Sequence, residues 1–340
     1  MGLAISEKER LTKLPDRTKI IGDTAMFYGD KPNYGSYDNG VWQDILDIPY
    51  LANREEAGLY KTIIRTLWLE STGWSKDIKN RFPQVRLIGL SDHPLSTHIS
   101  RLPANQQLAY ISDLEYLDGI MALTKEECQW YSIAVPSKPV EYVGLPFPFE
   151  SYEKKYGHLR TSEREFIGLG VGAADNDRNF VSNLMAFRYL QLNNPDIVGV
   201  FLSVPQQLLP YCVYWADKIP NVYIQEREDM PEYYEALSRC KFVINLADRN
   251  TPGRIQGEAA FFNVPVIGSD RLELQNELFP TLATSPFAIE DVVKNAQHLL
   301  DNPEDGKKLA AHAFRKLKQF NYERSLGRYN RLLERIEANI

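Results

Sequence analysis

The sequence predicts an α/β protein built from two Rossmann-like domains. Three observations carry this. Apolar, β-branched runs alternate with helix-like segments along the whole chain, the pattern of parallel sheets covered by helices. The alternation restarts at Phe166 after a charged stretch from Glu150 to Glu165. A length of 340 residues is ample for two domains. The boundaries expected on this basis are 1–155 for the first domain, 156–322 for the second, and a last helix, 323–340, packing back on the first.

In the first half, Lys19-Ile-Ile-Gly22 reads as a strand. Glu56 to Leu69 reads as a helix, with Leu59, Tyr60, Ile63, Ile64 and Leu67 on one face. Val85 to Leu90 is a buried strand ending at Ser91-Asp-His-Pro94, and Asp118 to Leu123 is another. Thr124-Lys-Glu-Glu127 has the form of a capping box opening a helix. Val140 to Val143 leads into the Pro/Phe-rich exit Gly144 to Phe149, and Glu150 to Glu165 reads as the linker. In the second half, strands are expected at Phe166–Val171, Ile197–Leu202, Val222–Ile224, Phe242–Asn245 and Val264–Gly268. Helices are expected at Phe180–Leu192, from Pro231 to near Cys240, at Asp291–Leu300 and at Arg324–Ala338.

Composition narrows the function classes. Net charge is −6, which argues against binding nucleic acid by bulk electrostatics. Cys128, Cys212 and Cys240 are odd in number and far apart, so neither a zinc site nor a disulfide framework is indicated. That fits a reducing cytoplasm. The charged stretch Met1 to Lys19 does not read as a signal peptide. No apolar run is long enough to span a bilayer, so any membrane contact would be peripheral.

The stretch Asn250 to Ser269 carries the most chemistry. Gly253 leads into a helix starting near Arg254, with Glu258 about one turn further in and a short strand after it. Free N–H groups at a helix start, beside an arginine, suit a diphosphate. A carboxylate one turn on could take the hydroxyls of a ribose or sugar. A plain αβ unit with a capping loop is the alternative account of the same residues.

These residues resemble the C-terminal half of the retaining GT-B glycosyltransferases, the group related to glycogen and sucrose synthases. Glu258-Ala259, Asn263, Pro265, Val266 and Ile267 match the second part of that family's signature, while the position of its first glutamate holds Asn250. Gly168 and Gly170, followed by Arg178-Asn179, are similar to the family's strand and basic loop, and Asn221 to Ala247 to its base-binding segment. The resemblance covers roughly 165–320 and is weak before that. It implies a GT-B fold, with the two domains facing a cleft. It also implies donor contacts from Gly35, Arg178, Glu226, Asn250, Gly253, Arg254 and Ile255, and a catalytic group of Asp92, His93 and Glu258.

Each of these has a plainer alternative. Asp92-His93 follows a buried strand, and Pro94 keeps His93 out of the helical region; an Asx-type turn explains the pair equally well. Asn33 to Gly40, with Gly35, could be simple turn chemistry. Glu226 could lie in a solvated loop. Asp175-Asn-Asp177 could hold Mg²⁺, but lies in the loop assigned to phosphate, so no metal or other cofactor is expected. Lys61, Arg65, Trp68, Trp74, Lys76, Lys79, Arg81 and Arg86 form a basic and aromatic group that could meet nucleic acid or an anionic membrane, or simply be a charged helix face.

The function expected is a cytoplasmic, metal-independent glycosyltransferase. It would move a sugar from a UDP- or GDP-sugar, with retention, to the hydroxyl of an acceptor that the sequence does not identify. The alternatives are a viral-type nucleic-acid base glycosyltransferase, a nucleotide-sugar epimerase or hydrolase, and a non-catalytic nucleotide-binding scaffold.

Overall fold

The computed structural model describes residues 23–27, 37–51, 53–67, 72–91, 102–170, 179–226 and 230–339. The chain divides into two compact units, 1–147 with 320–340, and 148–319.

The first unit runs β1 (Thr24–Phe27), α1 (Tyr37–Leu46), β2 (Thr62–Leu67), α2 (Trp74–Arg81), β3 (Arg86–Ser91), α3 (Ala104–Leu114), β4 (Gly119–Ala122), α4 (Lys125–Ala134) and β5 (Val140–Tyr142). Its described strands form one parallel sheet in sequence order, with Ile64 opposite Ile88 and Leu90 opposite Met121. One face of the sheet packs Ile63, Leu87 and Ile120 against Tyr110, Leu114 and Tyr131. The other packs Ile64, Ile88 and Met121 against Trp42. A sheet covered on both faces needs apolar residues at every position, which is why these strands read as continuous runs. The capping box at Thr124 is present: its hydroxyl accepts from the Glu127 N–H and the Glu127 carboxylate accepts from the Thr124 N–H.

The second unit runs α5 (Phe149–Tyr156), β6 (Phe166–Gly170), α6 (Phe180–Asn193), β7 (Gly199–Val204), α7 (Leu209–Ala216), β8 (Val222–Glu226), α8 (Met230–Ser238), β9 (Cys240–Asn245), α9 (Arg254–Phe261), β10 (Val266–Ser269), α10 (Glu273–Leu278), β11 (Ala283–Thr284), α11 (Ile289–Asp301) and α12 (Pro303–Leu317). The sheet is parallel, in the order β11-β10-β9-β6-β7-β8. The last helix, α13 (Tyr322–Glu337), belongs to the first unit, where Leu332 and Ile336 join the core over β4. Gly119 makes room for it: a Cβ there would lie 2.6 Å from the Ile336 side chain.

Two segments depart from the sequence reading. Glu56–Leu69 is not a helix. A short 3-10 turn, Arg54–Leu59, ends there and β2 follows. Every residue of β2 is buried, and a strand apolar on both faces shows no alternation to distinguish it from a helix stripe. Its β-branched content, Thr62, Ile63, Ile64 and Thr66, was the deciding signal. Glu150–Glu165 is not an open linker either. It holds α5, whose Tyr152 is fully buried while Glu150, Glu153, Lys154 and Lys155 supply the charge. The strand expected at Lys19–Gly22 lies outside the described residues.

Candidate active site on the second sheet

The strand order of the second sheet selects one place for a ligand. The chain builds β6, β7 and β8 in one direction, then returns to lay β9 on the other side of β6. In open parallel sheets the crevice beyond the carboxyl ends at such a reversal is the binding position. Here the two strand ends are Gly170 and Asn245. They approach closely because Gly170 has no side chain; a Cβ on it would lie 3.1 Å from Asn245 Oδ1. Asn183, wholly buried on α6, joins them. Its Nδ2 donates to the Gly170 carbonyl at 2.6 Å, and its Oδ1 accepts from Leu246 N at 2.8 Å.

From Leu246 the chain runs through 247–253 into α9. This loop rests on the start of α10, with Glu273 N donating to Thr251 O at 3.0 Å and Leu274 N to Pro252 O at 2.8 Å. Gly253 caps α9 with φ of 82°, a conformation that disfavours a side chain. Beneath α9 lies a set of buried amides. Gln256 Nε2 donates to Gln275 Oε1 at 3.3 Å, and Gln275 Nε2 to the Val266 carbonyl at 2.9 Å. The first turn of α9 is thus held at the carboxyl edge of the sheet by polar contacts on both sides. A helix start in this position favours an anion through its N–H groups and dipole.

Glu258 lies one turn into α9 and is 1% exposed. Its Oε1 accepts from Arg254 Nε at 2.6 Å, from Tyr152 OH at 3.3 Å and from Tyr234 OH at 3.4 Å. Its Oε2 accepts from Tyr233 OH at 2.9 Å. The Tyr152 and Tyr234 hydroxyls also hydrogen-bond each other, so only one of the two donates to Oε1 at a time. Burial, and then the neighbouring Glu258 charge, hold the Tyr233 phenol well above its usual range, so it stays a donor.

Of the site residues expected from the sequence, the described structure brings Asn250, Gly253, Arg254, Ile255 and Glu258 together on one loop and helix start. Asn250 is buried in the loop, Ile255 is half-buried, and Arg254 is partly exposed at the helix start. Glu226 ends β8 and is exposed. Gly35, Asp92, His93 and Arg178 lie outside the described residues. Tyr152, Tyr233, Tyr234 and Asn183 were not singled out from the sequence, because buried aromatics and a helical asparagine look like ordinary core.

In the basic and aromatic group of the first half, most described cations are paired with acidic side chains, and Trp68 lies outside the described residues. Arg65 is buried against Asp113 at 2.7 Å, Lys61 pairs with Asp23 at 2.8 Å, Lys79 with Asp118 at 2.6 Å, and Arg86 with Glu337 at 3.2 Å. Arg81 pairs with Glu55, and Trp74 packs against the core. No group of three or more acidic, histidine or cysteine side chains suited to a metal is present among the described residues. No described helix is long and apolar enough to cross a membrane. A cavity of about 310 Å³ between Leu282, His298 and Lys308 lies by the amino end of β11, at the edge of the sheet opposite the site.

Residues 186–331, which hold β7 to β11 and α9, match the family model described as Glycosyl transferase-like. No curated protein matches the chain in sequence. In structure, the chain is similar to a sucrose-phosphate synthase from Thermosynechococcus elongatus. That match has 13% identity and a TM-score of 0.70, and covers 94% of this chain and 100% of that one. It is similar to a UDP-forming α,α-trehalose-phosphate synthase from Burkholderia xenovorans at 10% identity and a TM-score of 0.71, over 89% and 81%. It is also similar to HepE from Anabaena, solved in complex with UDP, at 12% identity and a TM-score of 0.70, over 92% and 100%. The structural likeness shows that the chain shares the fold of these proteins, two parallel-sheet units, and the glycosyltransferase-like match lies mostly in the second unit.

Proposed function

We propose that the chain transfers a hexose from a nucleoside-diphosphate sugar, UDP or GDP, to an acceptor hydroxyl, with retention and without a metal ion. The observation that carries this is the Gly253-capped start of α9, with Arg254 on its first turn, at the reversal point of the second sheet. UDP in the HepE complex and UDP formation by the trehalose-phosphate synthase support a uridine donor. The bond from C1 of the sugar to the diphosphate breaks, and the acceptor oxygen bonds C1 on the same face. The departing diphosphate takes the acceptor's proton. Charge growing on that leaving group is stabilised by fixed donors and cations, which need no reorganisation at the moment of reaction. Arg178, next in sequence to the α6 cap Asn179, would add a second cation, and Asn250 would face the sugar. Asp92 and His93 remain the catalytic candidates that the family resemblance implies.

The test is the melting midpoint of the purified protein with UDP, GDP, ADP and their sugars, with and without EDTA. A ligand bound by the native state alone raises the midpoint by mass action. A rise with one nucleoside diphosphate, unchanged by EDTA, supports the reading. No rise with any of them overturns it. Incubation with the matching sugar nucleotide alone then separates transfer from hydrolysis or epimerisation, which need no acceptor.

A further inference from the structure

We propose that Glu258 is a positioning residue. It acts on the diphosphate through Arg254, rather than as a ligand of the ribose or the sugar. This rests on the reading above that a nucleoside diphosphate binds at the start of α9.

An ionised carboxylate offers about four acceptor sites. Glu258 takes three protein donors at a time: Arg254 Nε, the Tyr233 hydroxyl, and one of the Tyr152 and Tyr234 hydroxyls, which hydrogen-bond each other and so share a single free proton. The three phenols come from two separate elements, Tyr152 from α5 and the adjacent Tyr233 and Tyr234 from α8. All three are buried, and the Tyr152 and Tyr234 rings pack edge to face with centroids 5.2 Å apart. A ribose diol would have to displace these donors from a side chain that is 2% exposed. Arg254, by contrast, keeps 24% of its side chain exposed and stands one turn nearer the helix start. Fixing its Nε sets the plane of the guanidinium, and a planar fork held in advance loses less freedom when it takes a phosphate. The phenols hold the carboxylate, and the carboxylate holds the arginine.

The experiment compares UDP with uridine, by ligand-observed NMR titration, on the full chain and its variants (GDP with guanosine if the wild type takes GDP). Glu258→Gln keeps the shape but weakens the charge-assisted bond to Nε. The expected result is a fall of roughly tenfold in UDP affinity, with uridine affinity unchanged. In an Arg254→Ala background, Glu258→Gln should change UDP affinity less than twofold, because its intermediary is gone. Equal losses for UDP and uridine would overturn the proposal in favour of ribose contact. So would a full loss in the Arg254→Ala background, or no loss for UDP at all. If Glu258→Gln does not fold, Tyr233→Phe, which removes only the Oε2 donor, should give the same UDP-only pattern at smaller size. Failure of the wild type to bind any nucleoside diphosphate would instead remove the donor reading itself.

Discussion

Arg65 Nη1 lies 2.7 Å from Asp113 Oδ2, inside the first unit, with side-chain exposures of 1% and 4%. Asp113 also accepts from Ser75 Oγ at 3.0 Å and from the backbone N–H groups of Ser75 and Lys76 at 3.3 and 3.1 Å. Three elements, β2, α2 and α3, therefore meet at one carboxylate. Burial lowers the Arg65 pKa and Asp113 raises it again, the balance that keeps a buried arginine charged. Asp113→Ala would leave that cation without its counterion, which typically costs about 3–5 kcal/mol. Urea unfolding should show a loss of that order. Replacing both partners, Arg65→Met with Asp113→Leu, should recover most of it.

Arg65 also shows what the sequence does and does not disclose. Among neighbouring lysines and tryptophans it reads as part of a cationic face, because nothing local reveals a partner 48 positions away. The same gap turned β2 into an expected helix: burial on both faces is a property of the finished sheet. The strands of the second unit were legible because Gly and polar residues bracket short apolar runs. The Gly253-Arg254-Glu258 spacing was legible because helix starts announce themselves locally. What surrounds Glu258 was not, since Tyr152 lies 106 residues away. Chemistry that sits on one loop can be read from sequence; chemistry assembled from three elements cannot.

Gly253→Ala should weaken both the fold and the site. At φ of 82° an alanine is strained, and its Cβ would meet Gln256 Oε1 at 2.9 Å and Leu272 Cβ at 3.2 Å. The left-handed conformation alone costs about 1–2 kcal/mol. The melting midpoint should fall accordingly. UDP affinity should fall more than stability, because the first turn of α9 has to shift to relieve the contact.

Alkaline pH should destabilise the protein through groups that the fold keeps neutral. Burial pushes the Cys212 thiol up to about 12 and raises the Cys240 thiol as well. In the unfolded chain a thiol titrates near 8.5, and a phenol near 10. Between those values and the folded ones, the native state holds more protons, so stability falls as pH rises. It should be level below about pH 8 and decline above 9, by up to about 1.4 kcal/mol per pH unit for each group. Unfolding titrations across pH 7–11 test this, and Cys212→Ala should flatten the decline. At pH 8, Ellman's reagent should reach half-buried Cys128 before buried Cys212 and Cys240.

The bridge made by Asn183 predicts a change that depends on the sign of one atom. Its Oδ1 accepts from Leu246 N and its Nδ2 donates to the Gly170 carbonyl, so the side chain serves one donor and one acceptor at the strand ends. Asn183→Asp keeps the first bond and sets a carboxylate oxygen against the Gly170 carbonyl. Full burial and that opposing oxygen both favour the protonated acid. The variant's folded carboxyl should therefore titrate above the unfolded value near 3.9. Its stability, relative to the parent, is then greatest below about pH 4 and is lost as pH rises through the folded value. Asn183→Ala, which leaves a buried carbonyl and N–H unpaired at about 1–3 kcal/mol each, should show no such dependence. Unfolding free energies at pH 4.5 and 7.5 separate the two. An Asn183→Asp deficit that does not grow between those pH values would mean that the side chain does not face the Gly170 carbonyl in solution.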